Sequence, residues 1–192
     1  MAQPLSSDAL DQLFREARTY NGYLDKPVST EQLHAIWDLM KMGPTSANQL
    51  PARLVWLTTP EAKERLARHA MEGNAGKIRK APVSVIVAMD VNFHEHLPWL
   101  YPHTDAKSWF DGDAQARQTS AFRNSTLQGA YFILAARARP RYRADVGFRQ
   151  RCGRCRILHR RAALEEQFHL DAWLWRRFDD LPAQPAAGIR HL

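Results

Sequence analysis

The sequence predicts a single α+β domain in which apolar helices are layered against a central sheet. Segments with apolar residues at helical spacing alternate with two short apolar runs of strand-forming residues, near residues 54–58 and 82–89. Helices and strands that alternate in this way are typical of layered α+β folds. The 192 residues are enough for one domain with a sizeable core.

Two helices are predicted before residue 43. The first covers residues 6–19, with Ser6 or Ser7 as its N-cap. Its apolar stripe consists of Leu10, Leu13, Phe14 and Ala17. After a polar turn at residues 18–23, the second helix begins at Thr30, and its apolar face consists of Leu33, Ile36, Trp37 and Met40.

Residues 43–53 form a loop between the second helix and the first strand, and this loop is rich in short polar side chains. We expect Gly43 to adopt a positive φ and close the helix, and the prolines at both ends to stiffen the loop. Thr45, Ser46 and Asn48 provide hydroxyls and an amide that could bind a flat polar ligand. The alternative is an ordinary capped turn, because these residue types favour turns for local reasons.

Four further segments are predicted after this loop. A third helix starts at Pro60 and is broken by the stretch at residues 73–76. The run at residues 82–89 is apolar enough for a central strand, and a short helix or irregular segment at residues 92–100 leads into a loop at 101–113. A long buried helix then covers residues 119–137, with an apolar stripe of Phe122, Leu127, Ala130, Tyr131, Leu134 and Ala135.

The charge of the chain is distributed unevenly. The net charge is +7, yet residues 1–137 carry only +1, and residues 138–192 carry +6 from twelve Arg, no Lys and six acidic residues. No apolar run approaches the roughly 18–20 residues of a membrane span, and the first residues lack the basic and apolar pattern of a signal peptide, so we expect a cytoplasmic protein.

The C-terminal segment offers a second class of function. Cys152, Cys155 and His159 resemble half of a zinc site, but no second pair stands at ligand spacing. The arginines, together with Trp173 and Trp175, resemble a nucleic-acid-binding surface. A basic nucleic-acid-binding or zinc-stabilised protein is therefore the alternative to an enzyme.

Residues 5–137 resemble the FMN-dependent nitroreductase superfamily, and most closely its malonic semialdehyde reductases of the Rut pyrimidine-degradation pathway. Four segments in family order carry the resemblance, supported by the loop at residues 102–110. They are Ala17-Arg18-Thr19-Tyr20-Asn21-Gly22, Met42-Gly43-Pro44-Thr45-Ser46-Ala47-Asn48 with Pro51-Ala52-Arg53, Gly73-Asn74 with Lys77, Ala81 and Pro82, and Phe122-Arg123-Asn124-Ser125 with Gln128 and Ala130.

The resemblance implies a layered sandwich, with helices flanking a mixed or antiparallel sheet, and an FMN site. It assigns Arg18 to the FMN phosphate, with Tyr20 and Asn21 nearby, since a guanidinium binds phosphate oxygens bidentately. Ser46 and Asn48, with the backbone of Pro44 and Thr45, would face the ring and ribityl chain. Asn74 and Lys77 would meet the pyrimidine edge, where a Lys stabilises negative charge on reduced flavin.

The resemblance also implies a homodimeric oxidoreductase that uses NADH or NADPH and follows ping-pong kinetics. The expected reaction reduces malonic semialdehyde (3-oxopropanoate) to 3-hydroxypropanoate, and a generic nitroreductase or quinone reductase is the alternative. No residue identifies itself as catalytic. His103 is a candidate proton donor or a surface histidine, and Arg123 or Arg53 could pair with the substrate carboxylate or form structural salt bridges.

The resemblance stops after Arg137, and we predict that residues 138–192 are the family's C-terminal region translated out of frame. The family continues with Gly-Pro-Met-Ser-Gly-Phe-Asp and later Leu-Gly-Tyr-Gly-Asp. When the codons for residues 140–150 are regrouped one base later, they can encode Leu-Asp-Thr-Gly-Pro-Met-Ser-Gly-Phe-Asp. The same shift at residues 172–178 permits Leu-Gly-Tyr-Gly-Asp-Asp. The chain thus divides into an incomplete FMN-binding domain at residues 5–137 and an atypical Arg-rich tail at 138–192, with the C-terminal part of the fold missing or altered.

Overall fold

The computed structural model describes residues 3–18 and 22–138. Tyr20, Asn21 and the predicted features of residues 139–192 lie outside this part of the chain. The helices are α1 (Ser7–Leu10), continued by a π-helical turn (Asp11–Arg15), α2 (Thr30–Met40), α3 (Pro60–Ala67), α4 (Glu72–Lys80), α5 (Leu97–Leu100) and α6 (Ala114–Arg137). The strands are β1 (Ala52–Leu57) and β2 (Ser84–Met89), and 3₁₀ turns cover Ser46–Asn48 and Phe93–His96.

Side-chain caps set the start of most helices where the sequence predicts them. Ser6 accepts a hydrogen bond from the N–H of Ala9, and Thr59 accepts one from the N–H of Ala62 in front of Pro60. Ser29 forms a capping box, in which its own N–H donates to the side chain of Gln32. The predicted starts at Thr30 and Pro60 are confirmed. Helix α6 begins five residues before the predicted position because Asp113 caps it.

Two of the predicted helix boundaries are wrong. The first helix ends at Arg15 rather than at residue 19. The stretch at residues 73–76, expected to break a helix, lies inside α4. Helix α4 packs against α3, and the two are joined by the Glu64–Arg79 ion pair at 2.6 Å and by Lys63 Nζ, which donates to the carbonyl of Ala81. These tertiary contacts compensate for the low helix propensity of two glycines.

The described residues contain a two-stranded antiparallel sheet. Strand β1 pairs with β2 so that Ala52 lies opposite Met89 and Leu57 opposite Ser84. Helices α2 and α6 pack on this sheet around a core of Met40, Ala52 and Phe132, and Trp56 contacts the ring of Phe132 at a centroid distance of 5.7 Å. The predicted α+β layering is therefore confirmed.

Helix α6 turns a different face inward from the one predicted. Phe122, Leu127 and Tyr131 are 47%, 51% and 38% exposed, and Ala130 is also exposed. The buried residues of α6 are Ala121, Asn124, Ser125, Gln128, Gly129, Phe132, Ala135 and Ala136. Of the predicted stripe, Ala135 is buried and Leu134 is half-buried. The apolar stripe exists as predicted, but in this chain most of it faces outward.

Candidate functional site

The loop at residues 43–53 has an unusual backbone. Ala47, Asn48 and Leu50 have positive φ values of 49°, 50° and 38°. This left-handed region is uncommon for residues other than glycine, and a single residue there costs about 1–2 kcal/mol. The prediction of a positive φ at Gly43 is wrong, since Gly112 is the only glycine of the described chain in that region.

Gly43 has a packing role instead. A Cβ at this position would lie 2.6–2.9 Å from three ring carbons of Tyr131 on α6. Such distances are well inside van der Waals contact. A glycine at the end of α2 therefore lets the loop approach α6.

The buried face of α6 holds the loop through three polar side chains spaced four residues apart, which we call the polar ladder: Ser120, Asn124 and Gln128. Residues four apart lie one above another on a helix. The Oδ1 of Asn124 accepts from the N–H of Ser46 at 2.8 Å, and the Oε1 of Gln128 accepts from the N–H of Ala52 at 2.8 Å. Ser120 Oγ exchanges hydrogen bonds of 3.1 Å with the side-chain amide of Gln49.

The opposite side of the loop is fixed by the segment that follows β2. The side-chain amide of Asn48 donates to the carbonyl of Leu100 at 2.9 Å. Ala47 packs against the buried cluster of Phe93, Leu97, Ala106 and Ala121. The strained loop is therefore held between α6 on one side and α5 with its neighbouring turn on the other.

Arg53 anchors the loop to the end of β2. Its guanidinium donates to the carbonyls of Leu50 and Ala52, both at 3.0 Å, and pairs with Asp90 at 2.7 Å. Burial lowers the pKa of Arg53, and the charge and hydrogen bond of Asp90 oppose that effect. Of the alternatives considered for Arg53, the structural salt bridge is the one observed.

The predicted FMN residues of the loop lie together, and those outside it lie on other elements. Pro44 and Ser46 are exposed, while Thr45 and Asn48 are half-buried. Asn74 and Lys77 are half-buried on α4, whose main packing partner is α3.

Arg18 lies at the other end of α6 from the loop. It is exposed, and its guanidinium donates to the carbonyls of Arg15 and Ala17 at 2.9 and 2.8 Å. Its own carbonyl accepts from the guanidinium of Arg137 at 2.6 Å. Two guanidinium-bearing residues are thereby brought together at the C-terminal end of α6.

The segment at residues 93–113 carries aromatic and charged side chains beside the loop. The ring of Tyr101 contacts those of His103 and Trp109 at centroid distances of 5.3 and 6.2 Å. His103 is exposed, as the surface alternative for it requires. Lys107 pairs with Glu95 at 2.6 Å, and this hydrogen bond lowers the pKa of the Glu95 carboxyl.

The residues of the polar ladder and Gln49 had no role in the sequence-based prediction of the site. Asn124 and Gln128 belong to the motifs of the resemblance, whereas Ser120 and Gln49 belong to none of them. The available signal was the four-residue spacing of Ser120, Asn124 and Gln128 along α6. Within the described chain no group of His, Cys, Asp and Glu could hold a metal ion, and none of the described helices is long and apolar enough to cross a membrane.

The layered fold and its loop define an α+β class with many solved members. A Nitroreductase Family Protein from Streptococcus pneumoniae superposes with a TM-score of 0.57 at 16% identity, over 66% of this chain and 70% of that one. A protein from Exiguobacterium sibiricum, described as a "putative nitroreductase in complex with FMN", gives a TM-score of 0.59 at 19% identity, over 71% and 73% of the two chains. These likenesses establish the fold.

The chain belongs to the Nitroreductase family, which it matches over residues 14–158. A "Putative NADH dehydrogenase/NAD(P)H nitroreductase" of Stenotrophomonas maltophilia is 57% identical over 138 residues, which is 72% of this chain and 70% of the relative. A protein of the same description from Burkholderia lata is 60% identical over 134 residues, or 70% and 69% of the two chains. The family expected from the sequence motifs is confirmed.

Proposed function

We propose that the chain binds FMN at the loop and acts as a flavin-dependent NAD(P)H oxidoreductase. The observation that carries this proposal is the loop itself, whose strained backbone is fixed from both sides while polar groups on its surface stay available. Membership of the Nitroreductase family, the FMN in the Exiguobacterium sibiricum structure and the names of the curated relatives support it.

The donors of the loop suit the polar edge of an isoalloxazine and its ribityl chain. Within the described chain, no residue hydrogen-bonds the hydroxyl of the exposed Ser46 or the N–H groups of Thr45 and Ala47. Backbone N–H groups whose positions are fixed in advance bind ligand oxygens at little entropic cost. By contrast, the side-chain amide of Asn48 is occupied by the carbonyl of Leu100, so Asn48 would contribute through its backbone or its amide oxygen.

The phosphate would bind at the opposite end of the site. The guanidinium of Arg137 donates to the backbone carbonyl of Arg18 there, so this end carries two cationic residues of the type that binds a dianion. Tyr20 and Asn21, which lie outside the described residues, are assigned to the same end. Asn74 and Lys77 are assigned to the pyrimidine edge, where the ammonium of Lys77 would stabilise negative charge.

When bound, FMN supplies hydride transfer between NAD(P)H and an electron acceptor. We propose malonic semialdehyde as the acceptor, as in the pyrimidine-degradation reductases that the motifs resemble. Its carbonyl carbon would gain the hydride and its oxygen a proton, and we assign the proton to His103, which lies exposed in the segment after α5. Arg123 is exposed and makes no hydrogen bond or ion pair with a described residue, so its guanidinium is available for the substrate carboxylate.

A nitroaromatic or quinone acceptor is the second candidate. The exposed Trp109, at 56%, and its neighbour Tyr101 offer ring faces next to the loop, and the curated relatives are named as nitroreductases. Aromatic faces stack favourably on planar acceptors. Turnover with the two acceptors under identical conditions separates these candidates.

We also propose a homodimer in which the exposed apolar face of α6 is covered by a second copy of the chain. Leu127 and Tyr131, four residues apart, lie on the same side of α6, and Met42 is 59% exposed next to Gly43, which approaches Tyr131. Exposed apolar patches larger than single scattered side chains mark protein–protein contacts. The interface would then adjoin the flavin loop.

For residues 138–192 we propose an out-of-frame version of the family's C-terminal region. In that case this form lacks the third strand of the sheet and the family's C-terminal basic residues for the phosphate, and it should bind FMN weakly. Nucleic-acid or zinc binding would depend on residues 139–192, which lie outside the described part, and salt-dependent DNA retention tests it.

The test of function uses two versions of the protein, the 192-residue chain and a version with the shifted frame restored. Each is titrated with FMN, reduced anaerobically with NADH or NADPH, and mixed with malonic semialdehyde or a nitroaromatic acceptor. We expect tight, yellow binding and turnover from the restored version and weaker binding from the 192-residue chain. A restored protein that neither retains nor takes up FMN contradicts the proposed function.

A further inference from the structure

The polar ladder joins α6 to three points of the loop that enclose its strained backbone. Asn124 accepts from the N–H of Ser46, immediately before the left-handed residues, and Gln128 accepts from the N–H of Ala52, two residues after Leu50. Between these two points of the loop, the side chain of Gln49 bonds Ser120. The positive φ values of Ala47, Asn48 and Leu50 all fall inside this frame.

The residue types of the loop do not explain this conformation. Ala47 and Leu50 have no side-chain group that could stabilise a left-handed backbone locally, in contrast to Asn48. A residue held in a sparsely populated region persists only where its surroundings over-determine it. The hydrogen bonds from α6 are such surroundings.

Asn124 is the rung with the most constrained geometry. It is 6% exposed, its Oδ1 accepts from the N–H of Ser46, and its Nδ2 donates to the carbonyl of Ser120 at 2.9 Å. Both the oxygen and the nitrogen of the side-chain amide are hydrogen-bonded. The bond to the carbonyl of Ser120 therefore orients the side chain on the helix so that its oxygen can accept from the loop. Loss of an acceptor from a part-buried N–H costs free energy, which ties the position of Ser46 to that of Asn124.

We propose that Asn124 is a positioning residue of the flavin site, which locks the loop in its left-handed conformation through the N–H of Ser46, with Ser120 and Gln128 fixing the rest of the loop. Its effect on flavin affinity rests on the proposed function above. Its effect on the loop does not, because the hydrogen bonds exist in the protein without ligand.

The experiment compares Asn124→Ala with Ser125→Ala in the full 192-residue chain. Ser125 is a matched control because it is buried on the same helix and its hydroxyl bonds only the carbonyl of Phe122 within that helix. In the protein without FMN, backbone hydrogen exchange at residues 46–50 should be about tenfold faster in Asn124→Ala, as expected for the loss of one hydrogen bond worth about 1.4 kcal/mol. The dissociation constant for FMN should rise by a similar factor of about ten, while Ser125→Ala leaves both values within about twofold.

A rescue separates positioning from general destabilisation. Ala47→Gly removes the steric penalty of the positive φ, so the loop should keep its conformation better when Asn124 is lost. The effect of Asn124→Ala on exchange and FMN affinity should therefore shrink severalfold in the Ala47→Gly background. If Asn124→Ala only destabilised α6, its effect on exchange and FMN affinity would be the same with and without Ala47→Gly.

Each outcome bears on a different part of the proposal. Equal exchange at residues 46–50 in Asn124→Ala and Ser125→Ala overturns the positioning role, whatever the flavin does. If the starting protein does not bind FMN but exchange is faster in Asn124→Ala, the proposed function is overturned. The role of Asn124 in fixing the conformation of the loop is then still supported. If Asn124→Ala does not unfold cooperatively, Ser120→Ala, which removes only the bond to Gln49, takes its place in the same comparison.

Discussion

The two faces of α6 each mix polar and apolar residues. The face turned into the molecule carries Asn124, Ser125 and Gln128 among alanines and Phe132, and the face turned outward carries Phe122, Leu127 and Tyr131 among polar residues. A helix normally buries its apolar side and exposes its polar side. In this protein Asn124 and Gln128 are buried where they accept hydrogen bonds from the backbone of a loop, and large apolar groups are exposed on the side that we assign to a partner subunit.

This contrast explains why the loop can be both strained and ordered. An apolar face could pack against the loop, but it could not accept hydrogen bonds from the N–H groups of Ser46 and Ala52. Buried backbone donors need partners, and side-chain amides supply them where no strand or helix neighbour is available. Asn124 and Gln128 on the inward face therefore serve the site, and the exposed apolar side chains of the outward face are left for assembly.

The largest expected effect is at Gly43, where the loop meets the outward face of α6. Gly43→Ala places a Cβ 2.6 Å from the ring of Tyr131, and we expect a loss of about 3 kcal/mol in unfolding free energy, at the upper end of overpacking effects. Denaturant unfolding measures it. Adding Tyr131→Ala to the same chain should restore most of the loss.

Gly73→Ala is the matched control for this substitution. Gly73 lies inside α4, and a Cβ added there would have nothing within 4 Å, so alanine should stabilise the protein by about 0.5–1 kcal/mol through helix propensity. A similar loss in both variants would contradict the packing role of Gly43.

The next effect concerns the outward face alone. Leu127→Lys adds a charge to the centre of the apolar face, and if that face is a dimer interface, association should weaken at least tenfold while the monomer folds normally. Sedimentation velocity over a concentration series measures this. Met71→Lys, at a residue that is 56% exposed just before α4, should leave the assembly unchanged. A Leu127→Lys protein that sediments like the starting chain would remove this face from the interface.

A moderate effect is expected at the end of the polar ladder. Gln128→Leu leaves the N–H of Ala52 without its acceptor at the start of β1, and we expect a loss of about 1–2 kcal/mol in unfolding free energy. Thr126→Ala, which removes a bond to the carbonyl of Phe122 inside α6, should cost less than about 0.5 kcal/mol. Equal losses of unfolding free energy in urea titrations of the two variants would contradict the role of Gln128 in holding the backbone of Ala52.

The smallest expected effect lies away from α6, at the ion pair between α3 and α4. The hydrogen bond from Arg79 holds the pKa of Glu64 below its ordinary value of 4.5. A lowered carboxyl pKa contributes stability above pH 4.5, and this contribution is lost as the pH falls through the folded pKa. The stability difference between the starting chain and Glu64→Gln should therefore be constant near neutral pH, decline in acid and shrink with added salt. A difference that persists unchanged at about pH 3 would contradict the cause given for the lowered pKa.

Much of the framework was predictable from local signals. Pro60 and the residues around Thr30 mark helix starts because capping is a local interaction, and both strands were found from their apolar runs. Helix α4 was missed because Gly73 and Gly76 disfavour a helix in isolation, whereas packing on α3 decides the outcome.

The position of the loop was predictable from the sequence, but the conformation of its backbone was not. Thr45, Ser46 and Asn48 stood out by residue type, and the motifs that contain them led to the correct family. The positive φ of Ala47 and Leu50 has no signal in residue type, because it is imposed by hydrogen bonds from residues more than seventy positions away in sequence. Periodicity located the apolar stripe of α6, but it carries no information on which stripe faces inward.

The most direct measurement is hydrogen–deuterium exchange with and without FMN on the frame-restored protein. We predict that FMN slows exchange of the amides at residues 45–50, and most strongly those of Thr45 and Ala47, while exchange on the outward face of α6 changes only on dimer formation. FMN binding that leaves exchange at residues 45–50 unchanged and protects another part of the chain would contradict the assignment of this loop to the flavin.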